Sequence, residues 1–209
     1  MSTDTIPAAV ALSHLKLAQT QAPVHELIGA RWSPRAFSDR PVTPEQVASL
    51  LEAARWAPSA YNEQPWRFIV ASKSDPETYR KLLGSLLELN QLWARSAPVL
   101  MLVLAKKTFT HNGTPNLYAV HDAGMAAATL ALQATALGLS AHFMAGFNHA
   151  TARDAFQISS DYDFGAAIAI GYPGDPETLP EKFRLAELAP RSRKPLADLV
   201  YAGQSAVAL

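Results

Sequence analysis

Two short cationic segments are the residues best suited to holding an anion. They are Arg31-Trp32-Ser33-Pro34-Arg35 and Arg191-Ser192-Arg193-Lys194. A guanidinium presents a planar fork of donors that matches two phosphate oxygens at once. Side chains alternate along an extended segment, so Arg191 and Arg193 would point to one side. Arg31 and Arg35 are four apart and share a face if that stretch is helical, with Ser33 adding a hydroxyl. Brought together by the fold, the segments would clamp one phosphate monoester; left apart, each is solvated surface charge. A second feature is Ala57-Pro58-Ser59-Ala60-Tyr61-Asn62-Glu63-Gln64-Pro65-Trp66, dense in amides, hydroxyls and rings. It would either lie along a planar heterocycle or serve as an ordinary helix-to-strand connection anchored by Trp66. The third is Met144-Ala145-Gly146-Phe147-Asn148, where Gly146 allows either close backbone approach to a ligand or a plain strand-end turn.

Many other chemistries are excluded. The 209-residue chain has no cysteine, which removes thiolate nucleophiles, disulfides, iron–sulfur ligation and cysteine zinc sites. Its glycines form no Gly-x-Gly pair, P-loop or Gly-x-Ser-x-Gly elbow. No two of the six histidines stand four apart; His121-Asp122 reads as a helix start with an acid near the positive end of the dipole rather than a metal site. His142 reads as a packed or ligand-adjacent histidine. The 18 basic and 18 acidic side chains cancel, which argues against a nucleic-acid partner.

The elements that must position these residues are legible from periodicity. Thr43, Pro44 and Gln46 open a capped helix, carried by Val47, Leu50, Leu51 and Ala54 and stopped before Pro58. Strands are expected at 66–71, 99–105, 141–145 and 166–171. A second helix starts at Asp75-Pro76-Glu77 and continues through Leu86 and Leu87. A third, Ala-rich, runs from about 118 to 137 and ends at Gly138. Residues 123–141 carry no charge, but their small-residue composition indicates a helix buried on all sides rather than a membrane span. The apolar run at 8–12 is too weak for a signal peptide, so the expectation is a soluble, cytoplasmic protein. Asn148 caps a short helix to Phe156. The organisation expected is an arm at 1–24, a core at 25–175, and a Pro-rich extended tail at 176–209. The apolar Leu196, Leu199, Val200 and Tyr201 of that tail would lie on another surface, such as a second subunit. Alternating strands and helices give a mixed α and β class with a sheet covered on both faces. Only 17% of residues are charged, consistent with surface hidden in a partner.

Taken in order, several motifs resemble the FMN-dependent nitroreductase family. They are Arg-Trp-Ser-Pro-Arg-Ala-Phe from Arg31, the Thr-Pro-Glu-Gln helix, and Ala-Pro-Ser-Ala-Tyr-Asn-Glu-Gln-Pro-Trp-Arg-Phe from Ala57. They continue with Asn90 before Ala97-Pro98, Met144-Ala145-Gly146-Phe147, Ile170-Gly171-Tyr172-Pro173 and Arg191-Ser192-Arg193-Lys194-Pro195-Leu196. The resemblance spans about residues 26–201. It implies an α+β fold, an α/β/α sandwich with a central mixed sheet, and an intertwined homodimer with FMN at the interface. It also implies NAD(P)H as a transient electron donor and a small planar oxidant as substrate. Carried over by position, Arg31, Ser33 and Arg35 would hold the FMN phosphate and ribityl chain, with backbone contacts from Trp32. Arg191 and Arg193 would complete the clamp. Asn90 would bond the pyrimidine edge, and the Gly146 N–H would face flavin N5 beside Met144 and Ala145. Pro58, Ser59, Ala60 and Asn62 would reach the partner subunit's flavin, and Tyr61, Trp93 and Phe109 would line the open face for substrates. No side chain is singled out as catalytic, and no metal is implied. The chain departs from many members in having Trp32 for arginine, and from some in having Ala145 for glutamate. A non-catalytic flavoprotein that stores or senses FMN is the alternative reading.

Overall fold

The computed structural model describes residues 15–200; residues 8–12 and Tyr201, named above, lie outside them. Among these residues four strands form one sheet: β1 (Trp66–Ser72), β2 (Val99–Lys106), β3 (Ser140–Met144) and β4 (Tyr162–Gly171), in the order β1-β2-β4-β3. Seven α-helices accompany them among the described residues: α1 (Glu26–Ala30), α2 (Pro44–Arg55), α3 (Pro76–Ser85), α4 (Glu88–Ala94), α5 (Ala119–Ala136), α6 (His149–Phe156) and α7 (Glu181–Leu188).

All three strand pairings are antiparallel, which corrects the expected mixed sheet. The connections explain it. Two helices, α3 and α4, join β1 to β2 and bring the chain back antiparallel beside it. β2 and β3, joined through α5, do run the same way, but β4 sits between them.

β2 is buried along almost its whole length because both its faces are covered. Val99, Met101, Val103 and Ala105, with Ile168 and Ile170 of β4, pack toward α2 and α5. Leu100, Leu102 and Leu104, with Ala167 and Ala169, pack toward α3, α4 and α6. Period-two alternation thus builds two cores from one strand. α2 starts at a complete capping box between Thr43 and Gln46.

Three sequence expectations need correction. α5 buries one face, with Ala123, Ala126, Ala127, Leu130, Ala131 and Ala134 in the core, but its other face is exposed at Val120, Gly124 and Ala128. It is therefore not buried on all sides. No helix among the described residues is long and apolar enough to cross a membrane. The helix expected through Leu87 stops at Ser85. Leu86 and Leu87 turn extended because tertiary pairing outcompetes helix propagation: Leu86 bridges Phe147, and the Leu87 N–H donates to the Gly146 carbonyl. The tail is not extended throughout, because α7 lies within it. Its one buried residue is Glu187, so it carries no apolar stripe from which a helix could be read.

Candidate functional site

The segment after α1 is extended at Arg31 rather than helical, so Arg31 and Arg35 do not meet through helical spacing. They converge nonetheless. Arg31, Trp32, Ser33 and Arg35 line a cavity of about 220 Å³ together with Arg191, Arg193, Glu187 and Lys16. The two cationic segments, some 150 residues apart, therefore face one space. An Arg31 Nη lies 3.4 Å from the Ser33 hydroxyl and donates to it. Arg191 donates to the carbonyls of Lys16 (2.7 Å) and Gly29 (2.9 Å), which fixes the C-terminal segment against the arm and α1. Arg193 is exposed and donates only locally, to the Ser192 carbonyl. Burial, then the neighbouring cation Arg193, lowers the Arg31 pKa; burial, then Arg31 and Arg193, lowers that of Arg191. Such mutual repulsion is relieved by an anion placed among them.

Sequence reasoning missed Lys16 and Glu187. Glu187 is 2% exposed, and its carboxylate accepts the backbone N–H groups of Arg35 (2.8 Å) and Ala36 (3.0 Å). It thereby pins the loop that carries Arg31, Ser33 and Arg35 to α7. Burial raises its pKa, against those N–H bonds and the charges of Arg35 and Lys16. The available signal was a lone acid in Leu185-Ala186-Glu187-Leu188-Ala189.

The second group is built on α4 and the end of β3. Asn90 donates its side-chain amide to the Gly146 carbonyl at 2.9 Å. An ideal Cβ on Gly146 would stand 2.6 Å from Asn90 Nδ2, so the glycine admits the asparagine. Met144 is buried in the core, whereas Ala145 is exposed. One turn along α4 from Asn90 stands Trp93, 2% exposed, with its ring 4.4 Å from that of His142. This corrects the expectation that Trp93 lines an open face: its indole fills the core under the Arg35 guanidinium, 6.0 Å away. His142 reads as the packed histidine; its Nδ1 meets the Pro34 carbonyl at 2.8 Å. Burial, reinforced by Arg35, pushes its pKa down to about 4. Trp93 and His142 thus tie the Asn90–Gly146 pair to the loop bearing Arg31 and Arg35.

The third group is the loop after α2. Tyr61, Asn62 and Gln64 all have positive φ, a left-handed conformation uncommon for residues other than glycine. Three anchors hold it. The Ala60 N–H donates to Asp122 (2.9 Å), the Gln64 N–H to the Ser59 hydroxyl (3.0 Å), and the Thr110 N–H to Glu63 (2.9 Å). Asp122, 2% exposed in the first turn of α5, is thus a loop anchor. Tyr61 is 87% exposed and meets Phe109 edge to face at 5.7 Å. Pro58 and Asn62 are exposed and Ser59 and Ala60 half-buried. The Ala57–Trp66 connection therefore anchors Trp66 in the core while displaying Tyr61 outward.

The sequence profile described as "Nitroreductase: Nitroreductase family" matches residues 28–172, and the chain belongs to that family. A provisionally named NADH dehydrogenase/NAD(P)H nitroreductase of Xanthomonas oryzae pv. oryzae is 30% identical over 177 residues, covering 76% of this chain and 88% of that protein. Among solved structures, an oxidoreductase containing FMN shares 40% identity with a TM-score of 0.84, covering 89% of this chain and 94% of its own. A provisionally assigned nitroreductase in complex with FMN, from Desulfovibrio desulfuricans, shares 31% identity with a TM-score of 0.69, covering 89% and 99%. The fold is the nitroreductase fold, and the chain is an oxidoreductase of that family.

Proposed function

We propose that this chain is an FMN-dependent NAD(P)H oxidoreductase acting on nitroaromatics, quinones or similar electron-poor planar acceptors. The observation that carries the reading is the convergence of Arg31, Ser33 and Arg35 with Arg191 and Arg193 on one small cavity whose only acid among the described residues is Glu187. That donor set fits a phosphate monoester, the end group of FMN. FMN, when bound, would supply the redox chemistry that couples NAD(P)H oxidation to reduction of the acceptor, a ping-pong scheme in which donor and acceptor use the site in turn.

The chain's own residues bind and orient. Arg31, Arg35, Arg191 and Arg193 neutralise the phosphate, with Ser33 and the Trp32 backbone alongside. Asn90 offers its amide to the pyrimidine edge while still braced on Gly146. The Gly146 N–H would be the donor offered to flavin N5, at the strand end that carries Met144 and Ala145. Tyr61 and Phe109 form an aromatic wall where planar substrates stack and water is displaced.

The functional unit in this proposal is a homodimer, with Pro58, Ser59, Ala60 and Asn62 reaching the partner's flavin. The support is an uncharged exposed strip on α5, formed by Val120, Gly124 and Ala128. Near it in sequence are Leu117, 90% exposed, and Tyr118; Trp56 at the end of α2 is 74% exposed.

The test is the visible spectrum of purified protein before and after anaerobic NADPH, then NADH. Flavin absorption that bleaches establishes the oxidoreductase and ranks the donors. Absorption that persists with both indicates storage or sensing instead. A colourless protein that ignores added FMN overturns the proposal.

A further inference from the structure

Residues 15–21 lie against α1 and the C-terminal segment. The Ala18 N–H donates to the Gly29 carbonyl, Arg191 donates to the Lys16 carbonyl, and the Leu196 N–H donates to the Gln21 side chain. This packing delivers Lys16 to the wall of the arginine cavity. Lys16 is 4% exposed, an unusual state for a residue type almost never fully buried unless paired. Its ammonium donates to the Ala189 carbonyl at the end of α7 and lies 5.3 Å from the centre of the Trp32 ring. Neither contact neutralises it, and an ammonium has three donors to place. The one nearby acid among the described residues, Glu187, also serves Arg35 and already accepts two backbone N–H groups. Among the described residues, five cations therefore surround a cavity with a single carboxylate. Burying a lysine there is unfavourable unless a further anion enters.

We infer that Lys16 is a phosphate ligand: the N-terminal arm carries a fifth cation into the arginine cavity, where its ammonium bonds the terminal phosphate of FMN. Lys16 lies outside residues 28–172, so this contact is supplied by a segment beyond the part of the chain that matches the family. The arm also becomes part of the site, because Arg191 is held through the Lys16 carbonyl. The inference rests on the FMN reading above.

The test compares FMN with riboflavin, which has the same ring system and no phosphate. Lys16→Met keeps the aliphatic stem and removes the charge. In apoprotein titrated by flavin fluorescence, this variant is expected to bind FMN about tenfold or more weakly, the effect of one charged hydrogen bond. Riboflavin affinity is expected to be unchanged, and Lys16→Arg, which keeps the charge, is expected to stay within a few-fold of wild type for FMN. Equal weakening for both flavins would make Lys16 a clamp on Ala189 only, and no change for either would remove it from the site; each overturns the inference. Wild-type protein that binds no FMN would instead overturn the proposed function. Should Lys16→Met fail to fold, Lys16→Gln, which keeps a donor for the Ala189 carbonyl without the charge, is titrated in its place. A larger loss for FMN than for riboflavin supports the contact, and an equal change for both refutes it.

Discussion

The Asn90–Gly146 pair makes a quantitative demand on the fold. Replacing Gly146 with alanine places a Cβ 2.6 Å from Asn90 Nδ2, with the next neighbour, Leu87 Cδ1, at an ordinary 3.5 Å. Gly146 is not among the positive-φ glycines, so alanine is not strained by the backbone itself. The penalty therefore falls on Asn90. Its amide must withdraw, giving up the 2.9 Å bond to the Gly146 carbonyl, about 0.5–1.5 kcal/mol. Leaving its rotamer costs about 0.5–1.5 kcal/mol more. Alanine offsets about 0.4–1 kcal/mol by restricting the unfolded chain. The expected net loss in Gly146→Ala is about 1–2 kcal/mol. In an Asn90→Ala background the clash and the bond are both absent, so the same substitution should be neutral or slightly stabilising. Urea unfolding of the four proteins in this double-mutant cycle measures the coupling, expected at about 1–3 kcal/mol. If Gly146→Ala costs the same with and without Asn90, the steric account of the glycine is wrong.

Arg193→Ala should weaken FMN binding roughly tenfold to a hundredfold, the about 1.5–3 kcal/mol of a charged hydrogen bond, and leave the unfolding midpoint unchanged. Arg191→Ala should lower both, because Arg191 also bonds the Lys16 and Gly29 carbonyls; equal midpoints for the two variants would refute that distinction. Burial holds the His142 pKa at about 4 against 6.5 unfolded, so its contribution to stability is complete above pH 6.5 and lost as pH falls toward 4. That contribution is up to about 3 kcal/mol. His142→Gln should flatten the fall in urea midpoint between pH 7 and 4, and an unaltered slope would count against it. The raised pKa of Glu187 acts with the opposite slope, stability falling as pH rises above about 4.5, so the variant comparison isolates the histidine. Asp122→Ala leaves the Ala60 N–H without its acceptor, and should cost about 1–3 kcal/mol and speed proteolysis within the 59–64 loop.

What the sequence made legible follows from which signals are local. Helix α2, the buried strand β2 and the cap at Asn148 announce themselves through caps and periodicity, and the structure has them. The break after Ser85 was hidden because Leu86 and Leu87 continue a helical apolar pattern, and only the distant Gly146–Phe147 turn draws them out of it. Without that break α4 would not start at Glu88, and Asn90 would not meet Gly146. α7 was hidden for a related reason, since its inward residue is a carboxylate. Trp93 was misplaced because an aromatic near a site suggests a stacking surface, whereas burial shows that it supports Arg35 from beneath.

Residue type alone singled out the arginines as candidates for an anion, yet nothing local specifies that they meet. That convergence rests on long-range contacts: Glu187 to the Arg35 and Ala36 amides, Arg191 to the Lys16 and Gly29 carbonyls, and His142 to Pro34. The residues that position the cations are thus a buried acid, a backbone carbonyl of the arm and a neutral imidazole. Each is polar, and each is held by a partner more than a hundred residues away. A site assembled this way is legible in its candidate ligands and not in its supports, because candidate ligands are marked by their chemistry and supports only by the fold.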